Sequence, residues 1–429
     1  MTRSFLDALL NTLKQLPTTQ RVWIAYSGGV DSHVLLHAIV QLRSQLPSVR
    51  AVHIHHGLNE QADAWVIHCL TVCQQMAIPC DVINVKIQKQ PRQSLEALAR
   101  QARYAAIEQI ISDNDSVLTA QHADDQAETL LLQLLRGAGV AGLAAMPSMT
   151  RFGKGWLIRP LLDFTQTDLL NYAKYYNLQW IEDSSNQNTQ FDRNFLRHNV
   201  MPLLKQRWKN IAPVLNRVTR HQAEADTLLT ELAQQDYLDC QGEQTFQLNL
   251  LKIKLLSPAR QRNLIRFWLK QLHLPIPTTT QLEHILANVI AAREDSQPIV
   301  RWQGGEVRRY QENLYAMANL PTLSSPAHFT WSVNEILDLP LGKLKCVASK
   351  LPENLILHVK LRQGGETCYT KGHQRSVKKL LQTAQLLPWL RAFQPLIYYQ
   401  NILVAIPNIT VCNHFQQIMP NCKIIWEYS

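Results

Sequence analysis

RVWIAYSGGVDS, residues Arg21 to Ser32 of a 429-residue chain, decides how the remainder is read. Val22, Trp23, Ile24 and Tyr26 are β-prone, so the stretch enters as a strand. Ser27-Gly28-Gly29 then offers two adjacent residues that tolerate positive φ, and HVLLHAIVQL, residues 33–42, continues as a helix.

A strand that passes through a Gly-Gly turn into a helix start gathers backbone N–H groups and the positive end of a helix dipole at one spot. That is an anion site, with phosphate as its natural guest. Gly28, Gly29 and Val30 supply backbone, and Ser27 and Ser32 add hydroxyls. Asp31 beside a phosphate makes sense with Mg2+ between them, or as a cap on the helix. The loop lacks a GK[ST] ending, so γ-phosphate transfer is not implied. A bare tight turn with a Ser or Asp cap leaves the same local pattern.

Outward from this stretch, strand and helix patterns alternate. VRAVHIH (Val49 to His55), DVINVKI (Asp81 to Ile87) and SVLTA (Ser116 to Ala120) read as strands, each followed by a helical pattern. Such alternation predicts a doubly wound parallel α/β sheet, whose ligands sit at the carboxyl ends of the strands. The loops after Tyr26, His55, Ile87 and Ala120 are therefore the ones to search. From about Pro213 the pattern becomes mainly helical, and PTLSSP (321–326) reads as a linker to a small α+β region. Domains are expected at 1–212, 213–320 and 327–429.

The chain carries 43 basic and 33 acidic side chains, a net +10, and this balance suits a polyanionic partner such as nucleic acid. It holds no run of eighteen apolar residues and no signal-type N-terminus, so no membrane span is expected. The eight cysteines are scattered without C-x-x-C, which predicts neither a disulfide framework nor a zinc ribbon but a reduced, cytoplasmic protein. Cys69 and Cys73, one helical turn apart, read as core residues.

TAQHADDQAETLLLQLLRGAGVAGLAAM, from Thr119, starts at a strand end and enters a helix on the same rim as SGGVDS. Asp125 and Glu128 share a helical face in the first turn, where the dipole favours carboxylates. They could hold an ammonium group, a metal, or neither. Arg193 and Arg197 are one turn apart, with Asn194 beside them, and make a cationic face for phosphate or RNA; Lys205 and Arg207 follow. Further basic groups lie at Arg260, Arg262 and Arg266, at Arg301, Arg308 and Arg309, and at Lys371, Arg375, Lys378 and Lys379, some accompanied by Trp268, Trp302 or Trp389. Each is a solvated face or a contact; together they suit a ligand as long as a tRNA.

The string SGGVDS after a strand resembles the PP-loop of the ATP pyrophosphatases, a Rossmann-like family that cleaves ATP between its α- and β-phosphates. SGGVDS, HHGL, LEALARQARY, HADDQAET, RGAGVAGL and RNFLRHNVMP, in this order, resemble the tRNA(Ile)-lysidine synthetases, and RQGGE, SVKKLLQ, PW and LVAIP extend the likeness to the C-terminus. The resemblance implies that ATP adenylates the anticodon wobble cytidine of an isoleucine tRNA and that the ε-amine of L-lysine then displaces AMP. It implies ATP contacts from Ser27 to Ser32, His55 and Arg103, with His56, Gly57 and Arg100 nearby. Asp31 would lie by Mg2+ and the reacting phosphate. Lysine would sit on Asp125 and Glu128, and Arg193 would join Asp31, Asp125 and Glu128 in catalysis. The tRNA would meet Arg193, Asn194, Arg197, Lys371, Arg375, Lys378 and Lys379. After RQGGE the chain departs from the family, with TCYTKG and only Lys371 where arginine is usual. A tRNA-thiolating relative would need C-x-x-C cysteines, a small-molecule ligase would not need the added basic domains, and a catalytically dead tRNA binder would not need both intact motifs. Monomer and homodimer both remain open.

Overall fold

In the computed structural model the described residues are 2–14, 17, 19–57, 61–87, 95–183, 188–293, 296–323, 328–347, 355–370, 372–412 and 422–428. Lys371 and part of the 321–326 linker lie outside them, and so does the side chain of Glu96. The chain forms two units, Met1–Glu231 and Leu232–Ser429.

The first unit opens with α1 (Thr2–Lys14), then β1 (Arg21–Ala25), α2 (Val30–Leu42), β2 (Ser48–His55), α3 (Ala62–Gln75), β3 (Cys80–Asn84), α4 (Leu95–Ile110), β4 (Ser116–Leu118), α5 (Ala123–Leu135) and α6 (Val140–Leu143). A hairpin follows, β5 (Met149–Phe152) and β6 (Gly155–Ile158), then α7 (Gln166–Tyr175), α8 (Asp192–Phe195), a π turn at Leu196–Val200, α9 (Met201–Arg207) and the start of α10 (Ile211–Cys240), whose last residues, from Leu232, are counted in the second unit. The six strands lie in the order β3-β2-β1-β4-β6-β5. All pairings are parallel except β5 with β6.

Alternation along β1 puts the two faces to use. Val22 and Ile24 pack with Leu35 and Ile39 of α2 and with Leu169 and Tyr172 of α7. Trp23 points the other way, into a cluster with Val52, Val117 and Ile107 of α4. The sheet is therefore covered on both sides, as the alternating pattern predicts. The chain winds outward from β1 through β2 to β3, then returns to place β4 on β1's other side. Strand order reverses between β1 and β4, which opens a crevice at their carboxyl ends.

In the second unit, helices Pro258–Gln271 and Thr279–His284 pack on a four-stranded antiparallel sheet: Gln247–Asn249, Asn313–Met317, Gly305–Tyr310 and Ile299–Trp302. Trp268, Ile285 and Val307 form its core. This sheet escapes the sequence reading because its strands are short and rich in arginine. Beyond it, a five-stranded and a three-stranded antiparallel sheet share a core of Trp331, Val359, Ile397 and Trp426.

The cysteine expectation needs correction. Cys346 pairs with Cys422 and Cys368 with Cys412 as disulfides, 76 and 44 residues apart in sequence. Pairing of Gly342–Val347 with Lys423–Tyr428 sets Cys346 opposite Ile424, beside Cys422. Local spacing carries no trace of such contacts. Cys69 and Cys73 are buried core thiols, as read. Among the described residues no helix is long and apolar enough to cross a membrane.

Candidate active site

The turn after β1 is held by its own serines. Ser32 Oγ accepts from Ser27 N at 3.2 Å, donates to Gly29 O at 3.0 Å, and lies 3.0 Å from Ser27 Oγ. Gly28 sits at φ +87°, and a Cβ there would come within 2.6 Å of Ile181 Cδ1. The fold requires that glycine. Gly29 is different. Its φ is −72°, and a Cβ would meet Ser27 Oγ at an ordinary 3.7 Å. The fold itself therefore tolerates a side chain at Gly29. No side chain caps α2. Asp31 therefore does not serve as the cap that the sequence allowed, and its Oδ1 is buried with no hydrogen-bond partner among the described residues.

Across the crevice, His122 caps α5. Its Nδ1 accepts from Asp124 N at 3.2 Å, and Asp125 reaches back to His122 N at 3.2 Å, a reciprocal capping box. His122 Nε2 lies 3.6 Å from Asp31 Oδ2 and 3.5 Å from Asp125 Oδ2, so this ring joins the two motifs. Burial works against its charge, but Asp125, Asp31 and Asp124 outweigh it and raise its pKa to about 9. The two protonation states differ in one bond. Neutral, Nδ1 accepts from Asp124 N; charged, it cannot, and the ring instead gains ion pairing with Asp124, whose Oδ2 lies 3.7 Å away.

Asp125 and Glu128 form a quartet with Arg193 and Arg197. Arg193 Nε donates to Glu128 Oε2 at 2.9 Å and its Nη2 to Asp125 Oδ1 at 3.1 Å. Arg197 Nε donates to Glu128 Oε1 at 2.7 Å, and its Nη2 donates to Asp125 Oδ1 at 2.7 Å and to Glu128 Oε2 at 2.9 Å. Burial would raise the Asp125 pKa, but His122, Arg193 and Arg197 together hold it below the usual carboxylate range. Arg197 stands in the π turn, a local irregularity frequent at functional sites. Asp124 is buried; it pairs with Lys205 of α9 and accepts from Gln166 N at the start of α7 at 2.8 Å, fastening both helices to the site.

At the β2 end, His55 Nε2 lies 3.0 Å from Asp63 Oδ1 on α3. Burial lowers the His53 and His56 pKa values, and the nearby Arg103 charge lowers both further, which places Arg103 at this rim. Arg100 turns to Tyr104, its guanidinium 5.1 Å from the ring centroid.

Several basic residues picked from sequence hold the second unit together. Arg260 pairs with buried Asp236, Arg262 with Glu283, and Arg301 and Arg308 with buried Glu306. Trp268, Trp302 and Trp389 are buried. Arg375, Lys378 and Lys379 are exposed on the strand His373–Ser376 and the helix Val377–Thr383. Sequence reasoning missed His122 as a linking residue, although a histidine in the cap position before two aspartates was a signal. It also missed Asp124, whose partners come from distant helices.

With the geometry in place, comparison with known proteins assigns the family. Residues 1–204 match a PP-loop domain, 248–315 a TilS substrate binding domain and 357–426 a TilS substrate C-terminal domain. A tRNA(Ile)-lysidine synthase of Coxiella burnetii is 41% identical over 96% of this chain and 93% of its own. Relatives of the same name from Shigella flexneri and Escherichia coli O157:H7 are each 39% identical, covering 93% and 91% of this chain and 94% and 93% of theirs. The chain belongs to the tRNA(Ile)-lysidine synthase family. In the crevice between the PP-loop and α5, Asp31 of SGGVDS and His122 of HADDQAET lie 3.6 Å apart.

Proposed function

We propose that the chain joins L-lysine to C2 of the wobble cytidine in a CAU-anticodon isoleucine tRNA, consuming ATP and changing the codon read from AUG to AUA. The observation that carries this is the meeting of Asp31, from the phosphate cradle, with the His122–Asp125 cap across the β1/β4 crevice.

The backbone N–H groups from Ser27 to Ser32 hold the triphosphate, with Gly29 leaving the approach clear. His55 and Arg103 stand at the β2 rim, on the nucleoside side. The C2 carbonyl oxygen attacks the α-phosphorus, the bond to pyrophosphate breaks, and C2 becomes electrophilic. The ε-amine of lysine then bonds to C2 and AMP departs. Asp31 fits Mg2+, because its buried Oδ1 lacks a partner and a carboxylate oxygen is the donor a hard cation takes. When bound, Mg2+ supplies positive charge against the phosphate oxygens.

Asp125 and Glu128 receive the lysine. Every oxygen of the two except Asp125 Oδ2 accepts from a guanidinium, and that one accepts from His122 N. Lysine therefore enters by exchange: the α-phosphate draws Arg193 or Arg197 away and a carboxylate takes the ammonium. This makes adenylation and lysine binding sequential. The attacking amine must be neutral, and Glu128, or a water beside it, accepts its proton. Contacts to tRNA come from Arg193, Asn194 and Arg197 at the site, and from Lys371, Arg375, Lys378 and Lys379 in the C-terminal domain. The domains at 1–212, 213–320 and 327–429 divide these tasks, in the cytoplasm.

The test is direct. Purified chain given ATP, Mg2+, labelled lysine and the CAU transcript should place lysine in the RNA and release AMP and pyrophosphate. ADP in place of AMP, or lysine-independent turnover alone, would overturn the reading.

A further inference from the structure

Trp208 caps the C-terminus of α9, and the residue is 56% exposed. Ten tryptophans occur in the chain, and those beside the basic clusters named above are core residues. Trp208 has no ring, cation or side-chain hydrogen-bond partner among the described residues. Its backbone is nonetheless fixed: its N–H donates to Leu204 O at 2.8 Å, and its carbonyl accepts from Ile211 N at 3.0 Å. An exposed aromatic plane on a pinned backbone suits contact better than packing.

Its surroundings name the class of occupant. With Asn210, Ile211 and Val214 the ring lines a shallow apolar recess. Arg207 and Lys209, on either side of Trp208 in sequence, are both exposed and have no carboxylate partner among the described residues. One turn back along the same helix, Lys205 pairs with Asp124 in the active site. The recess is therefore rigidly coupled to the reaction centre through a single turn of helix. An exposed aromatic plane between two exposed basic residues in sequence fits a stacked base with its phosphates better than a neutral protein face.

We infer that Trp208 is a stacking platform for an unpaired base of the anticodon loop, a neighbour of the target cytidine. This rests on the proposed function. A cytidine whose C2 is to react must leave the stack, which costs a few kcal/mol and strips its neighbour of a stacking partner. An aromatic face next to the site restores that stacking and holds the loop open. Arg207 and Lys209 bind the adjoining phosphates. Stacking is tolerant of sequence, so Trp208 contributes tRNA affinity and does not distinguish one anticodon loop from another.

The experiment uses the full chain and the CAU transcript, comparing wild type with Trp208→Ala, Trp208→Phe and the double variant Arg207→Ala/Lys209→Ala. Trp208→Ala should raise Kd and KM for tRNA about ten-fold, within the span of base–aromatic stacking, and leave KM for ATP and lysine unchanged. Trp208→Phe should recover most of the loss. The slope of log K against log salt should not move for Trp208→Ala, while the double variant should flatten it by up to about two. Wild-type tRNA affinity in Trp208→Ala, no recovery with Phe, or a changed salt slope would overturn the inference. So would a fall in oligomeric mass in Trp208→Ala, since the recess would then serve a second copy. Should Trp208→Ala fail to fold, photocrosslinking of wild type to a 4-thiouridine-substituted anticodon loop decides: a crosslink at Trp208 supports the platform, and crosslinks only elsewhere refute it. An enzyme that forms no lysidine at all fails the functional reading; one that turns over normally with Trp208 removed fails only this one.

Discussion

Arg197 and Glu128 meet through a two-pronged contact, Nε to Oε1 at 2.7 Å and Nη2 to Oε2 at 2.9 Å. Glu128 is 2% exposed, whereas the Arg197 side chain keeps 30% of its surface in water. Desolvation therefore falls mainly on the carboxylate. Arg197→Ala leaves Glu128 with Arg193 as its one remaining guanidinium partner and should cost about 2 kcal/mol of stability, below the ~3–5 kcal/mol of a buried charge left with no partner. Adding Glu128→Gln should restore most of the stability but no lysidine formation. Urea unfolding with a parallel lysine-incorporation assay reads both; additive losses in the double variant would refute the coupling.

In the proposed function Glu128 also accepts the proton of the attacking amine, a role separable from its ion pairs. With the adenylated tRNA formed first and lysine then added at saturation, Glu128→Gln should slow transfer about 100-fold or more, the scale of lost general-base catalysis. AMP-forming adenylation should slow far less. Rapid-quench timing of the two steps makes the comparison, and unchanged transfer would remove Glu128 as proton acceptor.

Much of this site was legible because its parts are local. A strand, two glycines and a helix start lie within twelve residues, and the alternation of strands and helices fixes which loops share a rim. What the sequence hid is nonlocal. Arg193 and Arg197 read as a cationic face for phosphate or RNA; the fold also sets them on carboxylates 65 to 72 residues earlier, which nothing local in the sequence shows. Arg301 and Arg308 read equally as a solvated face or a contact, and in the fold they neutralise buried Glu306. Trp268, noted in the sequence only as accompanying a basic cluster, is core. Composition cannot separate an arginine that holds a fold from one that awaits a phosphate, since both need the same charge.

The His122 ring carries a pH signature. Its folded pKa, about 9, lies above the ordinary 6.5. The stabilisation from its charge is then complete below pH 6.5 and is lost as pH rises through 9. Wild type, without ATP or Mg2+, should lose urea resistance between pH 7 and 9.5, and His122→Asn should lose much less over that window. Imidazole nitrogen chemical shifts should report the charged ring at pH 7. A pH-independent stability gap between the two proteins would refute the raised pKa.

Gly28 and Gly29 should separate folding from binding. Gly28 is at φ +87°, and an added Cβ would press on Ile181 Cδ1 at 2.6 Å and Cys69 Sγ at 3.1 Å. Gly28→Ala therefore strains backbone and core together and should cost about 2 kcal/mol or more of stability. Gly29→Ala meets only Ser27 Oγ, at 3.7 Å, with φ already at −72°. Its fold should be untouched, with a melting temperature within a degree or two of wild type. Its methyl group would stand in the cradle, however, where backbone N–H groups must reach a phosphate, and KM for ATP should rise about ten-fold or more. Thermal melts and ATP titrations of both variants make the comparison. A Gly29→Ala protein that binds ATP like wild type would mean the triphosphate does not lie against this turn.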